Sequence, residues 1–180
     1  MRHNTPEQFA SQLREGHYNE LRVALYFMLR GDHVRIGYSG QSYDLHVLPS
    51  HQAGFSVEVK WDKAAARTGN LYFEIENTRQ RRPAGIAATT ADVWCHVIGA
   101  GDEAMLVSVA RMRALLKSRR FKQVRTAGED SNSRGLLAPR QWLREQKGIR
   151  WITLPTVEDF FGELFRQWNA DDAEKADLRR

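Results

Sequence analysis

Asp44, Glu58 and Lys60 are the residues of this chain whose types and spacing best suit chemistry. Asp44 stands in Tyr43-Asp44-Leu45-His46-Val47, and the other two in Phe55-Ser56-Val57-Glu58-Val59-Lys60-Trp61. Mg2+ takes hard oxygen ligands, usually one or two carboxylates, with waters and substrate phosphate oxygens completing the shell. Two carboxylates beside an ammonium therefore suit hydrolysis of a phosphodiester. The metal polarises the phosphoryl oxygen and lowers the pKa of a bound water, while a lysine favours hydroxide and offsets charge building on phosphorus.

Those side chains need two strands to position them. Alternation along a strand sends Phe55, Val57, Val59 and Trp61 one way and Ser56, Glu58, Lys60 and Asp62 the other. In the earlier run Tyr43, Leu45 and Val47 form the apolar row, with Asp44 and His46 opposite. If the two strands pair, Asp44, Glu58 and Lys60 converge on one patch. Alternating Glu and Lys is also ordinary on the solvated face of a strand, so the spacing alone is a weak signal.

The residues that follow strengthen it. Glu58-Val59-Lys60-Trp61-Asp62 leads into Thr68-Gly69-Asn70-Leu71-Tyr72-Phe73-Glu74 and then Pro83-Ala84-Gly85-Ile86-Ala87-Ala88-Thr89-Thr90-Ala91-Asp92-Val93-Trp94. This succession resembles the PD-(D/E)XK nuclease superfamily, in particular its small phage-type, resolvase- or exonuclease-like members. The likeness runs from about Glu20 to Trp94 and more loosely from Gly128 to Pro139; Ala84 and Val93 depart from the usual Ser and aromatic. It implies metal ligation by Asp44, Glu58, the Val59 carbonyl and Glu20, with Lys60 as the catalytic cation and Mg2+, or Mn2+, as cofactor. It also favours Glu74 over Glu76 as an acid close to the substrate.

Glu20 has a reading of its own, because Glu20, Val23, Ala24 and Phe27 share one helical stripe within residues 6–30; the plain alternative is a rim position paired with Arg22 or a lysine. His46 could orient a neighbour, bind metal or take a proton. Thr68-Gly69-Asn70 reads as turn chemistry. Thr89 and Thr90 could contact phosphate, but Thr-x-x-Asp also starts helices, and that structural role is favoured slightly.

The chain has 180 residues, a net charge of +5 and 42% hydrophobic content, which suits one α/β domain with a sizeable core. Arg113, Lys117, Arg119, Arg120, Lys122 and Arg125 succeed one another with no acid between them, and Arg79, Arg81 and Arg82 form a second basic group. Such clusters contact phosphates without reading sequence; a solvated helix face explains Arg113 and Lys117 equally well. DNA contact is expected chiefly at Arg79, Arg81, Arg82, Arg119, Arg120 and Lys122. One cysteine, Cys95 in an apolar run, excludes an internal disulfide and a Cys-cluster zinc site. Nothing reads as a membrane span or signal peptide, so a cytoplasmic protein of a bacterium or phage-infected host is expected.

The expected fold is a compact α/β domain over residues 1–168, its mixed central sheet flanked by helices as in restriction endonucleases, with a frayed tail over 169–180. An N-terminal helix near 6–30 precedes a meander of strands near 33–38, 43–48, 55–61 and 71–76. A helix near Thr89 or a strand over 93–98 follows, then a strand over 104–109, a basic helix over 110–119, a mobile polar loop over 124–133, a short strand over 136–139, and helices over 140–146 and 160–168. The expected activity is metal-dependent DNA hydrolysis directed by DNA structure or ends, in recombination, repair or replication. A resolvase would act as a homodimer; an exonuclease need not. The alternative is a catalytically inactive DNA- or partner-binding protein that keeps the nuclease fold.

Overall fold

The computed structural model describes residues 6–37, 43–125 and 132–157, with side chains described from Arg14 onward. It is an α/β fold with a mixed six-stranded central sheet, a second sheet of four strands and few helices. Helix α1 (Pro6–Met28) is followed by β1 (His33–Ile36), β2 (Leu45–Leu48) and β3 (Phe55–Asp62), which form an antiparallel meander. The chain then leaves the central sheet through the short helix α2 (Ala65–Thr68). Strands β4 (Asn70–Asn77) and β5 (Arg82–Pro83) belong to the second sheet, and a 3₁₀ turn (Gly85–Ala87) leads back. Strand β6 (Val93–Ile98) returns beside β3 in parallel, with Glu58 opposite Trp94 and Lys60 opposite His96. Strand β7 (Glu103–Ser108), helix α3 (Val109–Lys117), β8 (Lys122–Arg125), β9 (Ser133–Pro139), α4 (Arg140–Arg144) and β10 (Ile149–Thr153) complete the described chain. The sheet orders are β1-β2-β3-β6-β7-β10 and β5-β4-β9-β8.

Two apolar layers follow from the period of two along the central strands. Val57, Val59, Cys95, Val97 and Leu106 face α1, where Val23, Ala24 and Phe27 cover them. Trp94, Met105 and Val107 face the other way and meet Leu71 and Phe73 of β4, Ile86 of the 3₁₀ turn, and Met112, Leu115 and Leu116 of α3. Strand β6 is covered on both faces, which is why it reads as an almost unbroken apolar run. The polar row of β3 therefore emerges on the side of the central sheet that faces the second sheet.

Several expectations are corrected. The fourth strand does not extend the meander: after Asp62 the chain turns away, and Asp62 fixes that turn by accepting from the backbone N–H groups of Ala64, Ala65 and Tyr72. No helix starts near Thr89; the Thr89 hydroxyl accepts from Ala91 N–H in a local turn that delivers the chain into β6. Residues 122–125 form an edge strand of the second sheet rather than the start of a loop, and β5 and β10 were not foreseen. The helix over 160–168, the tail and the centre of the loop over 124–133 lie outside the described residues. Arg22 is buried and donates to the Pro155 and Leu154 carbonyls, so it ties α1 to the segment after β10 instead of pairing with Glu20.

Candidate metal and phosphodiester site

The pairing of β2 with β3 brings the sequence-derived residues together. Leu45 lies opposite Val57, and Asp44 N–H donates to the Val57 carbonyl at 3.0 Å, which sets Asp44 across from Glu58. Strand β2 stops pairing there, and the Asp44 carboxylate takes up the next β3 amide: Val59 N–H donates to its Oδ2 at 2.7 Å. Lys60, two residues after Glu58 on the same face, places Nζ 2.7 Å from Glu58 Oε1. Thr89 Oγ1 lies 3.4 Å from the other Glu58 oxygen.

The wall around these groups comes from the second sheet and the 3₁₀ turn. A cleft of about 290 Å³ is lined by Glu58, Lys60, Glu74, Gly85 and the segment Ala88–Thr90. Gly85 has φ +53°, and a Cβ there would stand 2.7 Å from both Cβ and the carbonyl oxygen of Glu74. A side chain at this position would thus push the 3₁₀ turn off β4 and open the wall. From the other side Arg113 of α3 holds the turn, donating to the carbonyls of Ile86 (2.8 Å), Ala87 (3.3 Å) and Thr89 (2.6 Å). The basic-face reading of Arg113 is therefore replaced by a structural one.

Electrostatics mark Asp44 as the unsettled member. Its pKa is pushed up from 3.8 to about 6, first by burial and further by the Glu58 and Glu20 carboxylates, against the Val59 N–H bond and the Lys60 charge. Burial works against the Lys60 ammonium, but Glu58, Asp44 and Glu74 outweigh it and hold its pKa above the ordinary lysine value. These neighbours therefore favour the cationic form of Lys60.

Glu20 is within electrostatic reach of Asp44, yet its carboxylate is bonded to His17 Nδ1 at 2.9 Å, one turn earlier on α1. His46 stands elsewhere. Its ring lies 5.9 Å from that of Tyr43 and within electrostatic reach of Asp92, whose Oδ2 accepts from both the N–H and the hydroxyl of Ser56 at 2.8 Å. Asp92 is a fastening between β3 and β6 that the sequence did not single out; a serine on the polar row of a strand facing an acid just before the next strand was the available signal. Cys95 is fully buried and burial drives its thiol pKa far up, as suits a core residue.

Among the described residues no group of three or more His, Cys, Asp or Glu converges to hold a metal. Asp44 and Glu58 instead offer a two-carboxylate set that leaves most of a coordination shell to water and substrate, which is the habit of Mg2+. A cation beside them would also relieve the crowding that raises the Asp44 pKa.

The basic residues fall at opposite edges of the second sheet. Arg79, Arg81 and Arg82 are exposed at the β4–β5 turn, and Lys122 is exposed on β8. Arg81 adopts φ +49°, alone among the described non-glycine residues in that region. Arg120 is exposed beyond α3, while Arg119 lies 5.3 Å from the ring centroids of both Phe121 and Trp142.

No protein-family profile matches this chain, and no curated protein matches it. Among solved structures, a bacterial homing endonuclease, I-Ssp6803I, aligns at a TM-score of 0.46 and 15% identity, over 89% of this chain and 95% of that one. A likeness at that level says nothing about the chemistry of this chain.

Proposed function

We propose that this protein is a metal-dependent deoxyribonuclease of the PD-(D/E)XK type, acting on DNA by structure or ends. The observation that carries the reading is the juxtaposition of Asp44 and Glu58 across β2 and β3, with Lys60 bound to Glu58 at 2.7 Å. Asp44 and Glu58 would hold Mg2+ or Mn2+, with Glu20 and the Val59 carbonyl as further candidates. The metal, when bound, supplies an activated water and an electrophile for the phosphoryl oxygen. Lys60, kept protonated by its acidic neighbours, holds a non-bridging phosphate oxygen and offsets charge that develops on it. Thr89 and Arg113 fix the Glu58 side of the cleft. Among the described residues no side chain is placed as an acid for the leaving 3′-oxygen, which leaves that proton to water.

The test incubates the protein and Lys60→Ala with labelled linear duplex, single-stranded and four-way-junction DNA, each with Mg2+, Mn2+ or EDTA. Metal-dependent cutting that falls at least about a hundredfold in the variant is expected. Absence of cutting by the wild type with every metal, beside salt-sensitive DNA binding, would instead favour a binding protein that keeps the fold. The preferred DNA form separates resolvase from exonuclease, and a symmetric homodimer in solution accompanies the first.

A further inference from the structure

We infer that the larger cleft beside the carboxylate pair receives an unpaired nucleobase next to the phosphate being cut. This rests on the nuclease reading and narrows its substrate to DNA with an unstacked nucleotide at the site. Lys60 and Glu74 line both this cleft and the smaller one that holds Glu58 and Thr89, so together they form a ridge between two adjoining spaces. The larger space is about 580 Å³, within the roughly 300–1,000 Å³ range of sites that enclose a small ligand.

Its lining includes two half-buried aromatic side chains, Tyr72 and Trp61. Tyr72 lines one side, and Trp94 and His96, both about 1% exposed, lie deeper. The Tyr72 ring is held in place from behind. Its hydroxyl is 2.7 Å from Ser133 Oγ, and a Cβ on Gly135 would come within 2.4 Å of the ring, so only glycine allows Tyr72 to lie against β9. Trp94 Nε1–H donates to His96 Nδ1 at 3.2 Å, which leaves the proton of a neutral imidazole on Nε2. That nitrogen is buried and faces Asp62 Oδ2 at 3.5 Å.

Two cations, Lys60 and Lys63, and two acids, Glu74 and Asp62, line this space, and the pair on the ridge suits a nucleotide. The Lys60 cation on the ridge suits the backbone phosphate, the Glu74 carboxylate can accept from an exocyclic amino group, and the Tyr72 ring offers stacking, which tolerates any base. A base in a duplex cannot enter without unpairing, so a bulge, overhang or frayed end binds at a smaller penalty than a paired site.

The test measures binding in EDTA, where no cutting occurs, using DNA with 2-aminopurine either unpaired at a bulge or paired in a duplex. The wild type is expected to bind the bulged form at least about tenfold more tightly and to quench its fluorescence. Ala64→Phe, at an exposed position lining the cleft, is expected to abolish both effects. Tyr72→Leu is expected to abolish them too, while Tyr72→Phe retains them because the ring remains; this pair serves if the blocking variant does not fold. Equal affinity for the two forms, or a preference that survives in Ala64→Phe and Tyr72→Leu, overturns the inference. Preference for the bulge without cutting under any metal would leave the cleft assignment standing and refute the nuclease reading. Cutting with no such preference would do the reverse.

Discussion

Asp44 and Asp62 stand on the same side of neighbouring strands, yet their surroundings drive them in opposite directions. Asp44 accepts one backbone N–H, is crowded by Glu58 and Glu20, and has its pKa raised to about 6. Burial pushes Asp62 up as well, but the His96 side chain and the backbone N–H groups of Tyr72 and Ala65 outweigh it, and its pKa lies below the ordinary value. Asp92, satisfied by Ser56, is lowered likewise. A carboxylate whose acceptors are filled by the protein is a fastening. One left short of donors among other acids keeps its proton to a higher pH.

The strongest way to break this contrast is to neutralise one member of each kind. Asp44→Asn should reduce DNA cleavage by about a thousandfold, since a neutral amide keeps the Val59 bond but loses the ligand charge. Asp92→Asn should leave cleavage within about threefold, read from initial rates at saturating metal.

Stability should respond the other way. Asp62→Ala leaves three backbone N–H groups short of their acceptor, and urea denaturation is expected to show a loss of about 2–3 kcal/mol. Asp44→Asn should instead stabilise the fold by about 1 kcal/mol at pH 7, a figure discounted for partial exposure. The pH dependence fixes the sign. The folded state keeps the Asp44 proton up to about pH 6, whereas the unfolded chain releases it near 3.8. Across that window the native state binds more protons, so this group lowers stability as pH rises, fully so above pH 6. The gap between wild type and Asp44→Asn should therefore close as pH is lowered from 7 to 4. A gap that is unchanged or widens over that range would count against the crowded-carboxylate picture.

The smallest expected effect lies at the sheet edge. Arg79→Ala, at the exposed β4–β5 turn, should weaken DNA binding without changing the preferred DNA form. If Arg79 contacts a phosphate, the slope of log K against log salt should flatten by about 0.9 in fluorescence anisotropy titrations.

Much of the central site was legible because it depends on a local rule. Alternation along two strands separated by a short connection put Asp44 opposite Glu58 and kept Lys60 on the same face. The basic helix showed its inward stripe of Met112, Leu115 and Leu116 in the same way. What escaped was non-local. Nothing in Leu71–Glu76 distinguishes a fourth meander strand from the first long strand of a separate sheet; the difference is made at Asp62, by backbone bonds a pattern of side chains does not record. Arg113 looked like part of a solvated face because its acceptors are main-chain carbonyls of the 3₁₀ turn and the Thr89 segment, more than twenty residues away. His46 shares a row with Asp44, but its pairing with Ser56, which bonds Asp92, puts it on the Asp92 side.

The parallel pairing of β3 with β6 has a kinetic meaning. The carboxylate pair sits on a hairpin, whose ends meet early and at small loop entropy. The wall that shapes it, from Glu74 to Thr89, belongs to the long excursion between two strands that must close side by side in parallel, a non-local step that is slow to form. During folding the cation-attracting acids should therefore exist before the cleft that limits what they can touch.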